Sequence, residues 1–312
     1  MSAPSTASVG ALAKAREWHG YYRNHRGRAG DADVRGYLAD VEEYRDLLRE
    51  HGGRELEGAA VLEIGFGTRA ARMALLSAAG ARATGVDMEV PLLSPRPATL
   101  LRIARENGAE RLAKSVARYL LFDRAARRRL ARAVAERHPG AKLEYGRLEI
   151  GDAADLRLPA GSLDLIVSED VFEHMTPDSI ERTLAGMRTW LAPGGIALIR
   201  PNVFTGISGG HLAEWSVASV REDPLAPRRS QPWEHLRARE LEPNTFLNRL
   251  TRADYRRAFA AGGFELLDER ARYPDLGRAL LTAGIRAELA AWPDEELFSN
   301  QVLFVLRARG TG

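Results

Sequence analysis

The sequence predicts an α/β fold, a doubly wound mixed sheet of seven strands, six parallel and one antiparallel, covered by helices. Three observations predict it. Short apolar runs alternate with amphipathic stretches between residues 59 and 202, which is the pattern of parallel strands joined by helical crossovers. A turn with two glycines follows the first of these runs. Two further strand-like runs end the chain, and such a final pair is typical of a mixed sheet with an antiparallel member.

The composition is that of a globular protein with a full hydrophobic core. Of 312 residues, 45% are hydrophobic and 28% are charged, and the net charge at pH 7 is only +3. The chain contains no cysteine, which excludes disulfides, thiolate metal sites and cysteine nucleophiles. No apolar run is long enough to span a bilayer, and the first residues form no apolar leader. We therefore expect a cytoplasmic protein without a transmembrane segment.

Residues 1–54 are predicted to form an N-terminal helical cap, and residues 55–312 to form the sheet domain. The stretch VRGYLADVEEYRDLLREHGG is amphipathic, and its helix stops at Gly52-Gly53. Strands and helices then alternate along the chain. The apolar runs predict strands at residues 59–65, 81–87, 145–152, 163–169 and 194–202.

Capping residues mark two further helices. Thr176 precedes a proline at the first position of a predicted helix that ends at Trp190. Thr251 begins a second helix, which stops at Gly262-Gly263. The two final strands are predicted after it, at residues 264–271 and 300–308.

Residues 203–248 are too many for a simple connection and are predicted to form a lid over the substrate, which we call the lid segment. It contains Trp215, Trp233 and His235. Together with aromatic residues of the cap, these side chains either cover an acceptor pocket or anchor the lid segment to the core. The cap residues in question are Trp18, Tyr21 and Tyr22.

Residues 92–144 form a basic insertion between the second and third strands, predicted as two amphipathic helices. From Arg96 to Lys142, thirteen Lys or Arg residues face four Asp or Glu residues. The arginines either form solvated helix faces or bind an anionic partner, such as a phosphorylated or lipid-linked acceptor, a membrane face or RNA. RNA is disfavoured because Tyr119 and Phe122 are the insertion's only candidates for base stacking.

A nucleotide pocket is predicted where the first two strands end. The stretch VLEIGFGT places Glu63, Gly65 and Gly67 at the end of the first strand, where glycines let the backbone turn tightly and approach a ligand. Asp87 ends the second strand, where its carboxylate can accept both ribose hydroxyls. Arg69 occupies the position at which a third glycine would support a pyrophosphate, and this disfavours a nicotinamide dinucleotide.

The chain resembles the class I S-adenosylmethionine-dependent methyltransferases over about residues 55–202. The resemblance is carried by VLEIGFGT, GVD, GDAADLRLPAGSLDLIVSEDVFEHM and LAPGGIALI. It implies a Rossmann-like fold and S-adenosylmethionine as cofactor, with Asp87 on the ribose and Asp152 with Ala153 on the adenine amino group. The methionine part would lie among Glu63, Gly65 and Gly67, and Met88 and Glu169 are assigned to the same pocket.

The stretch SEDVFEHM follows the fourth strand, beside the expected position of the transferred methyl group. An acceptor that loses a proton needs a base, and His174 and His211 are the candidates for that role or for orienting the acceptor. Glu173 could instead orient an amine. Asp170, Glu173, His174 and His211 also resemble the ligands of metal-assisted O-methyltransferases acting on RNA 3′ ends and quinone precursors. The remaining alternative is that Glu173 and His174 only cap this loop by hydrogen bonds.

We expect methyl transfer from S-adenosylmethionine to an oxygen of a small molecule or saccharide, in natural-product or glycan assembly. The competing enzyme hypotheses are N-methylation, metal-assisted O-methylation with a divalent ion as the less favoured cofactor, and a nicotinamide-dependent oxidoreductase. A protein that binds the cofactor without catalysis is a further alternative. A nucleic-acid partner is not expected, and the metal and the oligomeric state stay open.

Overall fold

The computed structural model describes residues 28–237 and 245–310, and it contains the seven-stranded sheet. The strand order is β3-β2-β1-β4-β5-β7-β6, with β7 antiparallel to β5 and β6 and all other neighbours parallel. The predicted Rossmann-like sheet with six parallel strands and one antiparallel strand is therefore confirmed. The strands are β1 Ala60–Ile64, β2 Arg82–Asp87, β3 Arg147–Ile150, β4 Leu163–Glu169, β5 Leu191–Arg200, β6 Phe264–Ala271 and β7 Val302–Ala308.

Helices cover both faces of the sheet. The helices are α1 Arg28–Gly52, α2 Ala71–Ala78, α3 Pro97–Arg118, α4 Arg124–Arg137, α5 Pro177–Trp190, α6 Val217–Glu222, α7 Glu234–Arg237, α8 Arg252–Ala261, α9 Ala283–Glu288 and α10 Asp294–Leu297. Where the structure describes the chain, none of these helices is long and apolar enough to cross a membrane.

The central strands β1 and β4 are buried on both faces because their side chains alternate between two cores. Leu165 and Val167 belong to the core shared with α1 and α2, whereas Ile166 belongs to the core shared with α5 and α8. Such strands are continuous apolar runs, which is why they could be recognised in the sequence. Both capping predictions hold: Thr176 accepts a hydrogen bond from Ser179 N at 3.2 Å, and Thr251 forms a reciprocal capping box at the start of α8.

The basic insertion is longer and less regular than two simple helices. Gly108, at φ +86°, kinks α3, and a π-helical turn at Tyr119–Asp123 joins α3 to α4. Asp123 is buried in that turn and accepts hydrogen bonds from Arg69 at 2.9 Å and Arg118 at 3.0 Å. Arg69 lies in the loop between β1 and α2, which carries Gly65 and Gly67 and which we call the glycine loop. The turn therefore connects the insertion to the glycine loop through Arg69, the residue that replaces the third glycine.

The lid segment packs on residues 273–298 around a separate small core. Trp233 is fully buried and Trp215 nearly so, so their burial supports an anchoring role rather than the covering of an open pocket. The three aromatic residues of the cap that were considered with them, Trp18, Tyr21 and Tyr22, lie outside the described residues. The small core consists of Ile207, Trp215, Val220, Trp233, Leu276, Leu289, Leu297 and Phe298.

Candidate cofactor and acceptor site

A cavity of about 460 Å³ opens at the carboxyl ends of β1, β2 and β4, which we call the cofactor cavity. Eight predicted site residues line it, and three do not. Glu63 is buried beneath it, whereas Glu173 and His211 lie beside it, next to His174. The lining residues among the predictions are Gly65, Gly67, Asp87, Met88, Asp152, Ala153, Glu169 and His174.

The glycine loop between β1 and α2 needs both of its glycines, for different reasons. Gly65 has φ +79°, and a Cβ added to it would lie 2.1 Å from Val171 Cγ2. Gly67 has φ +65°, and a Cβ there would meet nothing within 4 Å, so its side is open. The left-handed turns bring the Gly67 amide to the end of β2, where it donates a hydrogen bond to Asp87 Oδ2 at 2.8 Å.

Asp87 is held in place by backbone donors. Its Oδ1 accepts from Glu89 N at 2.9 Å while Oδ2 accepts from Gly67 N. Burial raises the pKa of Asp87, and the Gly67 amide partly offsets this effect. Each oxygen keeps a further lone pair, so the carboxylate can accept a pair of ribose hydroxyls. Met88 follows it with a side chain 64% exposed, an apolar surface against which a flat ring can pack.

The turn after β3 forms another part of the cavity wall. Asp152 caps a short 3-10 helix, Ala153–Asp155, by accepting from Ala154 N at 2.9 Å. This contact fixes the carboxylate of Asp152 and the backbone of Ala153 at the cavity wall, directly after β3, the strand that pairs with β2. Asp152 and Ala153 therefore both line the cofactor cavity, and their contact with the adenine amino group stays a prediction.

Glu63 and Glu169 are buried carboxyls of different character. Neither oxygen of Glu63 has a hydrogen-bond partner among the described residues, and its closest cation is Arg72, with Nη1 3.9 Å from Oε1. Burial raises the pKa of Glu63 to about 8. Glu169 Oε1 instead accepts from Tyr44 Oη at 2.6 Å and from Arg200 Nη1 at 2.8 Å. Its Oε2 is buried without a partner in the described part of the chain, in a residue that lines the cavity.

The charge of the cavity distinguishes between S-adenosylmethionine and a nicotinamide dinucleotide as its ligand. Four carboxylates and two guanidiniums line it, so its walls carry an excess of negative charge. A diphosphate would be repelled, whereas the sulfonium and ammonium of S-adenosylmethionine would be attracted. The cavity thus fits S-adenosylmethionine better than a nicotinamide dinucleotide. The charged lining residues are Asp87, Asp152, Glu169, Asp170, Arg69 and Arg72.

Glu173, His174 and His211 come together at the edge of the cavity, and we call them the acceptor cluster. One ligand atom from each lies within 4.8 Å of the other two. Glu173 Oε1 is 4.0 Å from His174 Nε2 and 3.8 Å from His211 Nε2. Asp170 does not join them, because both of its oxygens accept from Gln301 Nε2, at 2.8 and 3.0 Å. The predicted set of four possible metal ligands is therefore reduced to three.

The neighbours of the two histidines determine which ring nitrogens are free to accept a proton. His174 Nδ1 lies 3.0 Å from the carbonyl oxygen of Phe246, which can only accept, so Nδ1 carries the proton and Nε2 has the lone pair. His211 Nε2 lies 3.3 Å from Asn202 Nδ2, a donor, so it also has the lone pair. Burial lowers the pKa of His211 to about 4, which keeps its ring neutral at neutral pH.

Glu173 is the most deeply buried member of the acceptor cluster. Its Oε1 accepts from Asn202 N at 3.2 Å, and its Oε2 has no partner within the described ranges. Burial is the main cause that raises the pKa of Glu173 well above its usual range, and the charge of Asp170 adds to it. The acceptor cluster therefore places the ring of His174 and the neutral ring of His211 next to a carboxyl that favours its protonated form.

Asn202 and Tyr44 contact the predicted site residues but were not among the predictions. Asn202 ends the run GGIALIRPN directly after β5, and a polar side chain at the end of a parallel strand is a signal that could have identified it. Tyr44 lies on α1, 125 residues from its partner Glu169. No local pattern indicates such a contact.

The chain matches the family described as methyltransferase domain over residues 35–269, and no curated protein sequence matches it. An S-adenosylmethionine-dependent methyltransferase structure from Mesorhizobium loti is similar at 16% identity and a TM-score of 0.44, over 84% of this chain and 96% of that chain. The 1,6-didemethyltoxoflavin-N1-methyltransferase from Burkholderia thailandensis, solved with 1,6-didemethyltoxoflavin and S-adenosylhomocysteine, is similar at 16% identity and a TM-score of 0.43, over 99% of this chain and 95% of that chain.

The family match spans every residue that lines the cofactor cavity, from Tyr37 to Met175. The strand order and the negative cavity agree with it. The chain therefore belongs to the methyltransferase-domain family, and it is a class I, S-adenosylmethionine-dependent methyltransferase.

Proposed function

We propose that the enzyme methylates an oxygen of a small hydroxyl-bearing acceptor, and that His174 is the base. The observation that carries this proposal is the free Nε2 of His174, fixed by Phe246, in a residue that lines the cofactor cavity. Hydroxyl acceptors need a base during methyl transfer, whereas a neutral amine carries its own nucleophilic lone pair. Small molecules and saccharides of natural-product or glycan assembly carry such hydroxyls, and they are the acceptors we propose.

The proposed reaction is a single in-line displacement. S-adenosylmethionine, when bound, supplies a methyl group on a positively charged sulfur. The acceptor hydroxyl donates its hydrogen to His174 Nε2 while its oxygen forms a bond to the methyl carbon; the carbon–sulfur bond breaks and its electron pair stays on sulfur. The products are the methyl ether, S-adenosylhomocysteine and a proton on His174. Glu173 Oε1 lies 4.0 Å from His174 Nε2, but its carboxyl favours the protonated form and therefore meets the imidazolium as a dipole rather than as a charge.

Replacement of the base tests the proposal. We expect His174→Asn to lower kcat by about 10² to 10⁴-fold and to leave the Kd of S-adenosylhomocysteine within about threefold, because Asn keeps a donor for the Phe246 carbonyl. His138→Asn, a substitution in the turn after α4, is the control. The acceptor is first identified by supplying S-adenosylmethionine with a deuterated methyl group to an extract and finding the labelled product by mass spectrometry. Undiminished kcat in His174→Asn, or a label on nitrogen, would contradict O-methylation by this base.

Metal-assisted O-methylation is the second candidate, supported by the closeness of three potential ligands in the acceptor cluster. A divalent ion bound there would lower the pKa of the acceptor hydroxyl. The hydrogen bond from Asn202 to His211 Nε2 competes with this role, since it uses the same lone pair. If the ion is required, exhaustive chelation abolishes activity and added Mg²⁺, Mn²⁺ or Zn²⁺ restores it. Full activity after chelation, with no metal found by elemental analysis, removes this candidate.

A further inference from the structure

We propose that Tyr44 and Arg200 are positioning residues for the cofactor: they orient Glu169 so that its unpartnered oxygen accepts the α-ammonium of S-adenosylmethionine, and they thereby couple the docking of α1 to cofactor binding. The inference rests on the proposed assignment of Glu169 to the cofactor site. It gives a function to two residues that neither the motifs nor the acceptor cluster uses.

The geometry of Glu169 leaves only one side of its carboxylate available. Tyr44 Oη and Arg200 Nη1 both donate to Oε1, at 2.6 and 2.8 Å, so this oxygen is occupied. The residue is 6% exposed and lines the cofactor cavity, and Oε2 has no partner among the described residues. A buried carboxylate oxygen without a donor is costly, and a cationic ligand that supplies donors removes the cost.

The charges around Glu169 are balanced only while the neighbouring Glu63 stays protonated. Arg200 donates to Glu43 at 2.5 Å as well as to Glu169, and Arg72 donates to Asp40 at 2.8 Å. Arg272 also donates to Asp40. Three guanidiniums thus face four acidic side chains when Glu63 is included, and Glu63 has no hydrogen bond of its own in the described structure. Burial keeps Glu63 mostly protonated at neutral pH, and an ammonium group at the cavity wall would balance the charge that Glu63 adds when it ionises.

The same contacts tie α1 to the sheet. Asp40, Glu43 and Tyr44 all belong to α1, whereas Glu169 and Arg200 end the adjacent strands β4 and β5. A ligand that fixes Glu169 strengthens the hydrogen bond from Tyr44, and by reciprocity a docked α1 strengthens cofactor binding. Helix α1 therefore contributes to the cofactor site in two ways. Tyr37 lines the cofactor cavity directly, and the polar and charged side chains of α1 act on it through Glu169.

The test combines one substitution with one chemical change in the ligand. Tyr44→Phe keeps the ring and removes the hydroxyl, so Glu169 loses one of its two fixed donors. Calorimetry should show about tenfold weaker binding of S-adenosylhomocysteine, corresponding to the loss of one buried charge-assisted hydrogen bond. Binding of the deaminated analogue, which lacks the α-amino group, should change by less than about twofold.

Two control variants distinguish a positioning role of Tyr44 from a general loss of protein stability and from a wrongly assigned cofactor site. Val41→Ala shortens a buried side chain of α1 one turn before Tyr44, and it should lower the Tm without changing the selectivity for the amino group. An equal loss of affinity for both ligands in Tyr44→Phe would overturn the inference. If neither Tyr44→Phe nor Asp87→Ala changed the affinity for S-adenosylhomocysteine, the proposed cofactor site itself would be wrong. If Asp87→Ala lost affinity and Tyr44→Phe did not, only the proposed role of Tyr44 and α1 would be contradicted.

Discussion

The carboxylate of Asp87 has two functions. It accepts a hydrogen bond from the Gly67 amide of the glycine loop, and it lines the cofactor cavity. Replacement by Ala removes the acceptor for the Gly67 amide and the proposed acceptor for the ribose hydroxyls. We expect Asp87→Ala to weaken the binding of S-adenosylhomocysteine at least about tenfold, the effect of one charge-assisted hydrogen bond. Isothermal titration calorimetry measures it.

The matched control is Asp275→Ala, an exposed aspartate that does not line the cofactor cavity and whose side chain accepts only from Arg278 among the described residues. Its affinity should equal that of the wild type. Unchanged affinity in Asp87→Ala would mean that the ribose lies elsewhere.

Among single residues, those that belong to a short local pattern could be predicted from the sequence. Gly65, Gly67 and Asp87 follow strands that were recognised as apolar runs, and parallel strands bring their carboxyl ends to one edge. The sequence could not predict that Tyr44 reaches Glu169, since that contact depends on how α1 crosses the sheet. Nor could it predict that Gln301 binds Asp170 and removes it from the acceptor cluster.

The turn between β1 and α2 shows how an element's geometry separates two glycines that look equivalent in the sequence. Gly67→Ala meets only the cost of a left-handed backbone, about 1 to 2 kcal/mol of the free energy of unfolding. Gly65→Ala adds a clash with Val171, and overpacking costs about 1 to 3 kcal/mol more. We therefore expect Gly65→Ala to lose roughly 2 to 5 kcal/mol by denaturant unfolding.

The double variant Gly65→Ala/Val171→Ala distinguishes the clash from the backbone. Removing the Cγ2 atom leaves Val171 Cβ as the nearest atom, at 3.2 Å from the added Cβ, so part of the stability should return. Equal losses in Gly65→Ala and Gly67→Ala, or no recovery in the double variant, would show that the turn is not packed as described.

Elements were predictable where local chemistry defines them and not where tertiary contacts do. Helix α5 begins after Thr176 and ends at Trp190 because its caps are local. The π-helical turn at Tyr119–Asp123 has no such signal, since it depends on buried Asp123 pairing with Arg69 in the glycine loop. The small core of the lid segment likewise joins residues 203–237 to residues 273–298, and no periodicity in either segment indicates the other.

At the scale of the whole molecule, the buried side chain of His235 in the lid segment makes the stability of the protein depend on pH. Its side chain is 8% exposed, its Nε2 donates to the carbonyl oxygen of Phe204 at 2.8 Å, and its ring lies edge-on to that of Phe204. Burial lowers the pKa of His235 to about 4, from 6.5 for an exposed histidine. Between these two values the unfolded chain binds more protons than the folded protein does, so stability is complete above pH 6.5 and is lost as the pH falls toward 4.

This linkage predicts a specific loss of stability in acid that one substitution should remove. Between pH 7.5 and pH 5, His235 alone should lower the free energy of unfolding by about 2 kcal/mol, from its two pKa values. Other groups titrate in the same range, so the comparison is with His235→Gln, in which the amide NH₂ can still donate to Phe204 but does not titrate. Thermal unfolding at both pH values should show a smaller decrease of Tm in the variant than in the wild type, even if the variant is less stable at pH 7.5. Equal decreases in the two proteins would contradict the buried, neutral state of His235, and with it the packing of the lid segment onto residues 273–298.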